Sequence, residues 1–154
     1  QSIVAGGRNT LNSGGNDVPT ISYNPDAAKW IIAYVDDSSN SIGRIALASN
    51  HSGNNISFSA ATCFADPSNG RRVNYLSSTY DSSAQKTLII YQDRDNSNYA
   101  KALTASVASN GTITQNSPTT FDSSGGGRYM DVVYVPGAQR NVIVYQRLWH
   151  SYSR

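Results

Sequence analysis

Two tyrosines recur in step along this chain, and their fixed spacing limits the possible fold more than any other feature. Tyr23 and Tyr80 are 57 residues apart, as are Tyr34 and Tyr91; Tyr80 and Tyr134 are 54 apart, as are Tyr91 and Tyr145. Residues 21–36, 78–93 and 132–147 are therefore three copies of one segment. One marker could recur by accident, but two that keep register argue for true repetition. A unit of about 55 residues copied along a 154-residue chain has to stack on its own kind, because one such unit cannot cover both its apolar faces.

Each copy reads as four short strands. The first ends at the leading tyrosine (residues 20–23, 75–80 and 129–135). A turn rich in Pro, Asp, Gly and Ser follows, then a strongly apolar strand (30–35, 87–92 and 141–146). Apolar residues fill successive positions of this second strand, so both its faces are expected to be covered. Trp30, Tyr34, Tyr91 and Tyr145 are accordingly read as core between repeats. A third strand covers 43–49 or 99–106, and a fourth, with a polar second half, covers 56–64 or 112–121. The composition agrees. All ten acidic residues are Asp, with no Glu, and the abundant Ser, Asn, Thr and Gly favour strands and turns over helices. The expected fold is all-β: propeller-type four-stranded antiparallel blades, incomplete in one chain. A β-sandwich, the alternative, gives no reason for the tyrosine register.

The whole of 1–154 is one repeat domain, divided into a partial repeat 1–19, repeats 20–74 and 75–128, and a partial repeat 129–154. Two whole repeats are fewer than the four blades a propeller needs to close. The expectation is self-association, with blades completed between copies, or further repeats elsewhere in a longer chain.

The repeat resembles a family found in tail-fibre-like, adhesin-like and other virion-surface proteins of bacteriophages and in bacterial surface proteins. The resemblance is carried by Tyr23-Asn24-Pro25-Asp26, Lys29, Ile32-Ala33-Tyr34, Asp36, Asn40-Ser41-Ile42-Gly43 and Gly53-Asn54-Asn55-Ile56-Ser57-Phe58. Tyr80-Asp81, Lys86, Tyr91-Gln92-Asp93 and Asn96-Ser97-Asn98-Tyr99 carry it in the second copy. The third copy departs from the pattern at Arg147-Leu148-Trp149. The resemblance implies a structural or host-binding role on a virion surface or outside the cell, with virion or cell-surface proteins as partners, and names no catalytic residue.

Catalytic chemistry finds little footing in the residues themselves. Without Glu, an acid–base pair would have to be two Asp, and Asp36, Asp37, Asp93 and Asp95 sit in repeated loops, where a carboxylate serves the turn. A sialidase-like glycosidase is the enzyme to weigh. Residues 49–58 echo its turn but lack the Asp and carry one residue too many. No Gly-x-Ser-x-Gly elbow is present, and Gly125-Gly126-Gly127-Arg128 lacks the ending of a phosphate loop. Residues 93–98 offer oxygen atoms at alternating positions, as a calcium loop does, but the spacing is short and no bidentate Glu follows. A hydrogen-bonded loop without cofactor or metal is the expectation. Cys63, the one cysteine, lies in an apolar strand context and reads as a buried thiol.

Recognition chemistry is better represented. Sugars are held by aromatic faces and planar polar side chains, and Trp149, Tyr152, His150 and Arg147 cluster in the divergent third-repeat loop. Together with Asp93, Asp95 and Asn98 of the corresponding second-repeat loop, they are the candidate ligand-binding residues, for a glycan or a protein partner. A propeller lectin with one sugar site per blade is the alternative function. The net charge of +2, with Arg71-Arg72 as the one adjacent basic pair, does not suit nucleic acid. No apolar run approaches the roughly 18 residues of a membrane span, and the first residues lack the pattern of a signal peptide.

Overall fold

The structure is a computed structural model that describes residues 10–11, 14–50, 56–64 and 72–147. It is all-β with antiparallel sheets, and the described residues contain no α-helix. Strands β1 (Asn16–Asn24), β2 (Lys29–Asp36) and β3 (Ile42–Asn50) form a meander. The short strands β4 (Ile56–Phe58) and β5 (Thr62–Cys63) both pair with β3. The second sheet repeats this plan with β6 (Val73–Asp81), β7 (Lys86–Asp93) and β8 (Tyr99–Val107). Its β9 (Ile113–Gln115) and β10 (Thr119–Asp122) both lie on β8. The third copy contributes a two-stranded ladder, β11 (Arg128–Val135) and β12 (Arg140–Gln146). Residues 1–9 of the partial repeat 1–19 lie outside the described residues.

The copies share backbone details as well as strands. Each first strand carries a bulge, between Asp17 and Thr20, Asn74 and Ser77, and Arg128 and Asp131. At each bulge one residue takes positive φ: Val18 at 46°, Tyr75 at 51° and Tyr129 at 47°. In the first two copies the preceding side chain steadies that residue, as Asp17 Oδ1 accepts Val18 N–H at 2.8 Å and Asn74 Oδ1 accepts Tyr75 N–H at 2.9 Å. The hairpin turns match too. Asn24 Oδ1 accepts the N–H of Asp26 and Ala27, and Asp81 Oδ1 accepts those of Ser83 and Ala84. These are Asx turns, in which a short polar side chain replaces a backbone acceptor. The third copy has Val135 there and uses a 3₁₀ turn, Pro136–Ala138, instead.

The fourth strand differs from expectation: it is two short pieces in each sheet, not one continuous strand. The break falls at equivalent residues. Ser59 N–H donates to Leu47 O and Ser59 Oγ accepts Leu47 N–H, both at 2.9 Å. Asn116 N–H likewise donates to Thr104 O, and Asn116 Nδ2 to Thr104 Oγ1. The Ser59 hydroxyl takes over a ladder bond, the Asn116 amide reaches the Thr104 hydroxyl, and the outer strand breaks beyond each; in the second sheet Pro118 follows and has no N–H to continue the ladder.

The main core lies between the first and second sheets. Ile31, Ala33, Val35, Ile45, Leu47 and Phe64 meet Val73, Leu76, Ile89, Tyr91, Leu103 and Ala105. A second cluster joins the opposite face of the second sheet to the third ladder through Ile90, Ala100, Met130 and Val132, with Leu88 and Ile143 packed against it. The aromatic contacts repeat with the rest. Phe64 meets Tyr91 edge-on at 5.4 Å between centroids, and Phe121 meets Tyr145 edge-on at 5.6 Å. Each pair joins the fourth strand of one copy to the second strand of the next. Phe64 also lies over Gly43, where an added Cβ would sit 2.5 Å from the ring, so that position has to be glycine.

Candidate functional site

The loop end of the sheets holds most of the charged residues singled out from the sequence; there Asp93 is buried while Asp95 and Arg147 stay exposed, each beside a partner of opposite charge. Asp93 is buried, with Lys101 Nζ at 2.9 Å, and its Oδ1 accepts Asp95 N–H at 3.1 Å. Asp95 accepts Arg72 Nε–H at 2.6 Å and Arg72 N–H at 2.8 Å. This bond ties the β7–β8 loop to the start of β6. The equivalent of the Asp93–Lys101 pair in the first sheet is Asp36 with Arg44, at 3.2 Å. Burial alone would raise the Asp36 carboxyl. Hydrogen bonds from Ser38, Ser39 and Arg44, with the Arg44 charge, hold it below the usual carboxylate range instead. Asn98 is exposed, and its backbone has the same φ of 59° as its half-buried first-sheet equivalent, Ser41.

Arg147 reverses the charge of this position. Asp36 and Asp93 stand there in the first two copies, and the third copy places the guanidinium near a carboxylate of the preceding repeat. Arg147 Nε–H donates to Ser124 Oγ at 2.6 Å and lies 3.6 Å from Asp122 Oδ2. Asp122 accepts both the hydroxyl and the N–H of Ser124, and these two bonds are the chief reason its carboxyl is held low. The Ser124–Gly125 crossover passes beside the β7–β8 loop: a Cβ on Gly125 would lie 3.2 Å from Ser97 O. Arg147 and Asn98 therefore sit near one crossover, while Asp93 and Asp95 are held by Lys101 and Arg72. The other candidate residues, Trp149, His150 and Tyr152, lie outside the described residues. Among the described residues, no group of three or more His, Cys, Asp or Glu side chains gathers around a possible metal position. Cys63 is half-buried rather than buried, and Arg44 Nη1–H points at its Sγ at 3.3 Å.

Further polar side chains bridge one copy to the next near the first strands. Thr20 Oγ1 and Ser78 Oγ share a hydrogen bond at 2.9 Å. Ser77 Oγ donates to Asp131 Oδ1 at 2.8 Å, and Thr79 Oγ1 accepts Tyr134 N–H at 3.2 Å. Asn141 Nδ2 donates to Asp81 Oδ2 at 2.7 Å. Tyr80 OH donates to Asp26. Burial and that bond push the phenol pKa up to about 12.

What sequence reasoning missed is apolar. Trp30, expected in the core, is 38% exposed and tilts against Tyr23 at 4.7 Å between centroids. With Ile21, Ile32, Ala48, Ile56 and Phe58 it lines a hollow of about 460 Å³ on the first sheet, facing away from the second. The far side of the third ladder is also open: Val133, Val142 and Val144 are 56%, 47% and 59% exposed. The signal was in the sequence, since Trp30 stands where the second and third copies have Thr87 and Asn141. Comparison with protein-family models, with curated proteins and with solved structures gives no match for this chain.

Proposed function

We propose that this chain is a non-enzymatic structural and recognition module built from propeller-type blades, of the kind carried on a bacteriophage virion surface or tail fibre. Its surfaces make assembly contacts or bind host glycans. The observation that carries this reading is the use of its polar side chains. Asp36, Asp93, Asp95 and Asp122 are engaged by cations of the chain itself, and Asp81 and Asn24 shape turns. The outer faces of the first sheet and the third ladder carry exposed apolar and aromatic side chains, which suits contact better than proton transfer. A lectin with one sugar site per blade gains less, because the exposed Tyr23–Trp30 pair has no aromatic counterpart at Thr87 or Asn141.

The test is antibody labelling, with an antiserum to this chain, of the producing cells and of the virus particles they release, together with a glycan array and an oligosaccharide hydrolysis assay. Label on particle or cell surfaces without hydrolysis is the expected result. Label confined to the cell interior, or turnover of any oligosaccharide, overturns the proposal.

A further inference from the structure

The two open apolar faces are the two halves of a contact that the chain already makes inside itself. Along the repeat, the open first-sheet face bearing Ile21, Trp30 and Ile32 corresponds to the second-sheet face bearing Ser78, Thr87 and Ile89, while Tyr34, the equivalent of Tyr91, is already buried. That second-sheet face is covered by the first sheet, with Thr87, Ile89 and Tyr91 all fully buried. At the other end, Val142 and Val144 correspond to Leu88 and Ile90, and to Ile31 and Ala33. Those equivalents pack against the repeat that follows them.

Where the open faces differ from their covered equivalents, several differences run toward hydrocarbon. Ile21 replaces Ser78, Trp30 replaces Thr87, and Val133 replaces Thr79, whose hydroxyls lie at contacts between copies. A stack that ended in water would carry polar outer faces on its terminal repeats. We propose that the Trp30 face of the first sheet receives the Val133–Val142–Val144 face of a second copy of this chain, head to tail. The contact is heterologous: each copy offers one face and uses the other, so the assembly continues until it closes into a ring or grows as a filament. This rests on the structural half of the function proposed above and is independent of glycan binding.

The experiment is sedimentation velocity on the full chain over a wide concentration range, with Ile21→Asp marking one face and Val144→Asp the other. Both positions are more than half exposed, so each variant is expected to fold, as checked by its melting curve; Trp30→Ser and Val142→Asp are the substitutes if either does not. The wild-type chain is expected to assemble as concentration rises, and each variant alone to lose that assembly. An equimolar mixture of the two variants is expected to form dimers and nothing larger, because one intact face remains on each. A wild-type chain that stays monomeric at every concentration overturns the inference and assigns the faces to further repeats of a longer polypeptide. A mixture that behaves as its separate components overturns it equally. Assembly without binding on a glycan array would leave this contact standing and remove the glycan-binding role.

Discussion

In β7 the four consecutive residues Leu88, Ile89, Ile90 and Tyr91 lie within packed layers; in β2 the equivalent run is Ile31, Ile32, Ala33 and Tyr34, and one face of it borders an open hollow. The strands are near copies, have matching turns and bulges, and pair with their neighbours in the same register. What separates them is the number of neighbours. The second sheet has a partner on each side, whereas among the described residues the first sheet has one. The strand is thus written by the repeat, and its burial by position in the stack. A residue such as Trp30 can be a core type by pattern and still stand at a surface.

The most severe way to break this comparison is at the aromatic joints. Phe64→Ala removes a fully buried ring wedged between Gly43 and Tyr91 and is expected to cost about 4 kcal/mol. Phe121→Ala, at the half-buried equivalent, should cost about half that in urea unfolding. Equal costs would mean that the third ladder covers Phe121 as fully as the second sheet covers Phe64. Next in size, Ile89→Ala should cost about 3 kcal/mol and Ile32→Ala about 1.5 kcal/mol in dilute solution. If the cost of Ile32→Ala rises with protein concentration while that of Ile89→Ala does not, the open face is being covered by another copy.

A pH titration sharpens the comparison electrostatically. Asp36, Asp81 and Asp122 all have carboxyls held below their ordinary value in the folded chain. The unfolded chain therefore binds protons first as pH falls. The stabilisation is fully present above the ordinary carboxylate pKa and is lost as pH drops through the lower folded values. Unfolding midpoints should be flat near neutrality and fall in acid. Asp36→Asn is expected to flatten the acid limb for the whole molecule. Asp122→Asn should in addition loosen the end of β12, seen as faster amide exchange near Gln146, because its cation partner Arg147 belongs to the next copy.

The smallest effect is a gain. Ala28, Gln85 and Gln139 close the three hairpins at φ 50°, 53° and 50°, a region that favours glycine. Ala28→Gly and Gln85→Gly should each raise stability by about 0.5–1 kcal/mol. A loss at both positions would show that their side chains do more than tolerate the turn.

Much of this architecture was legible because it repeats. The tyrosine spacing located the first three strands of the first two copies and the first two of the third, since period and register survive substitution of most side chains. The break in the fourth strand was not legible, because the bonds of Ser59 and Asn116 run to Leu47 and Thr104 on the neighbouring strand, twelve residues away, and no local pattern marks them. The candidate site was only partly legible. Asp95 lies in the loop where the sequence placed it, but Asp93 ends β7, and their cations Lys101 and Arg72 come from β8 and from the residue before β6, which spacing along one loop cannot reveal. Trp30 was misplaced because burial on the second face of a strand depends on a neighbouring sheet, and a periodicity argument presumes that neighbour.

The repeated hairpins also bear on how such a chain folds. Strands of one pattern and register invite mispairing, since β1 could zip onto β7 instead of β2. Each correct hairpin closes over just four residues, 25–28, 82–85 and 136–139, whereas the wrong pairing must first bring together segments more than 60 residues apart. Loop-closure entropy makes the local search faster and cheaper. The order of events then helps keep each copy with its own partner, and lengthening one of these turns should slow refolding.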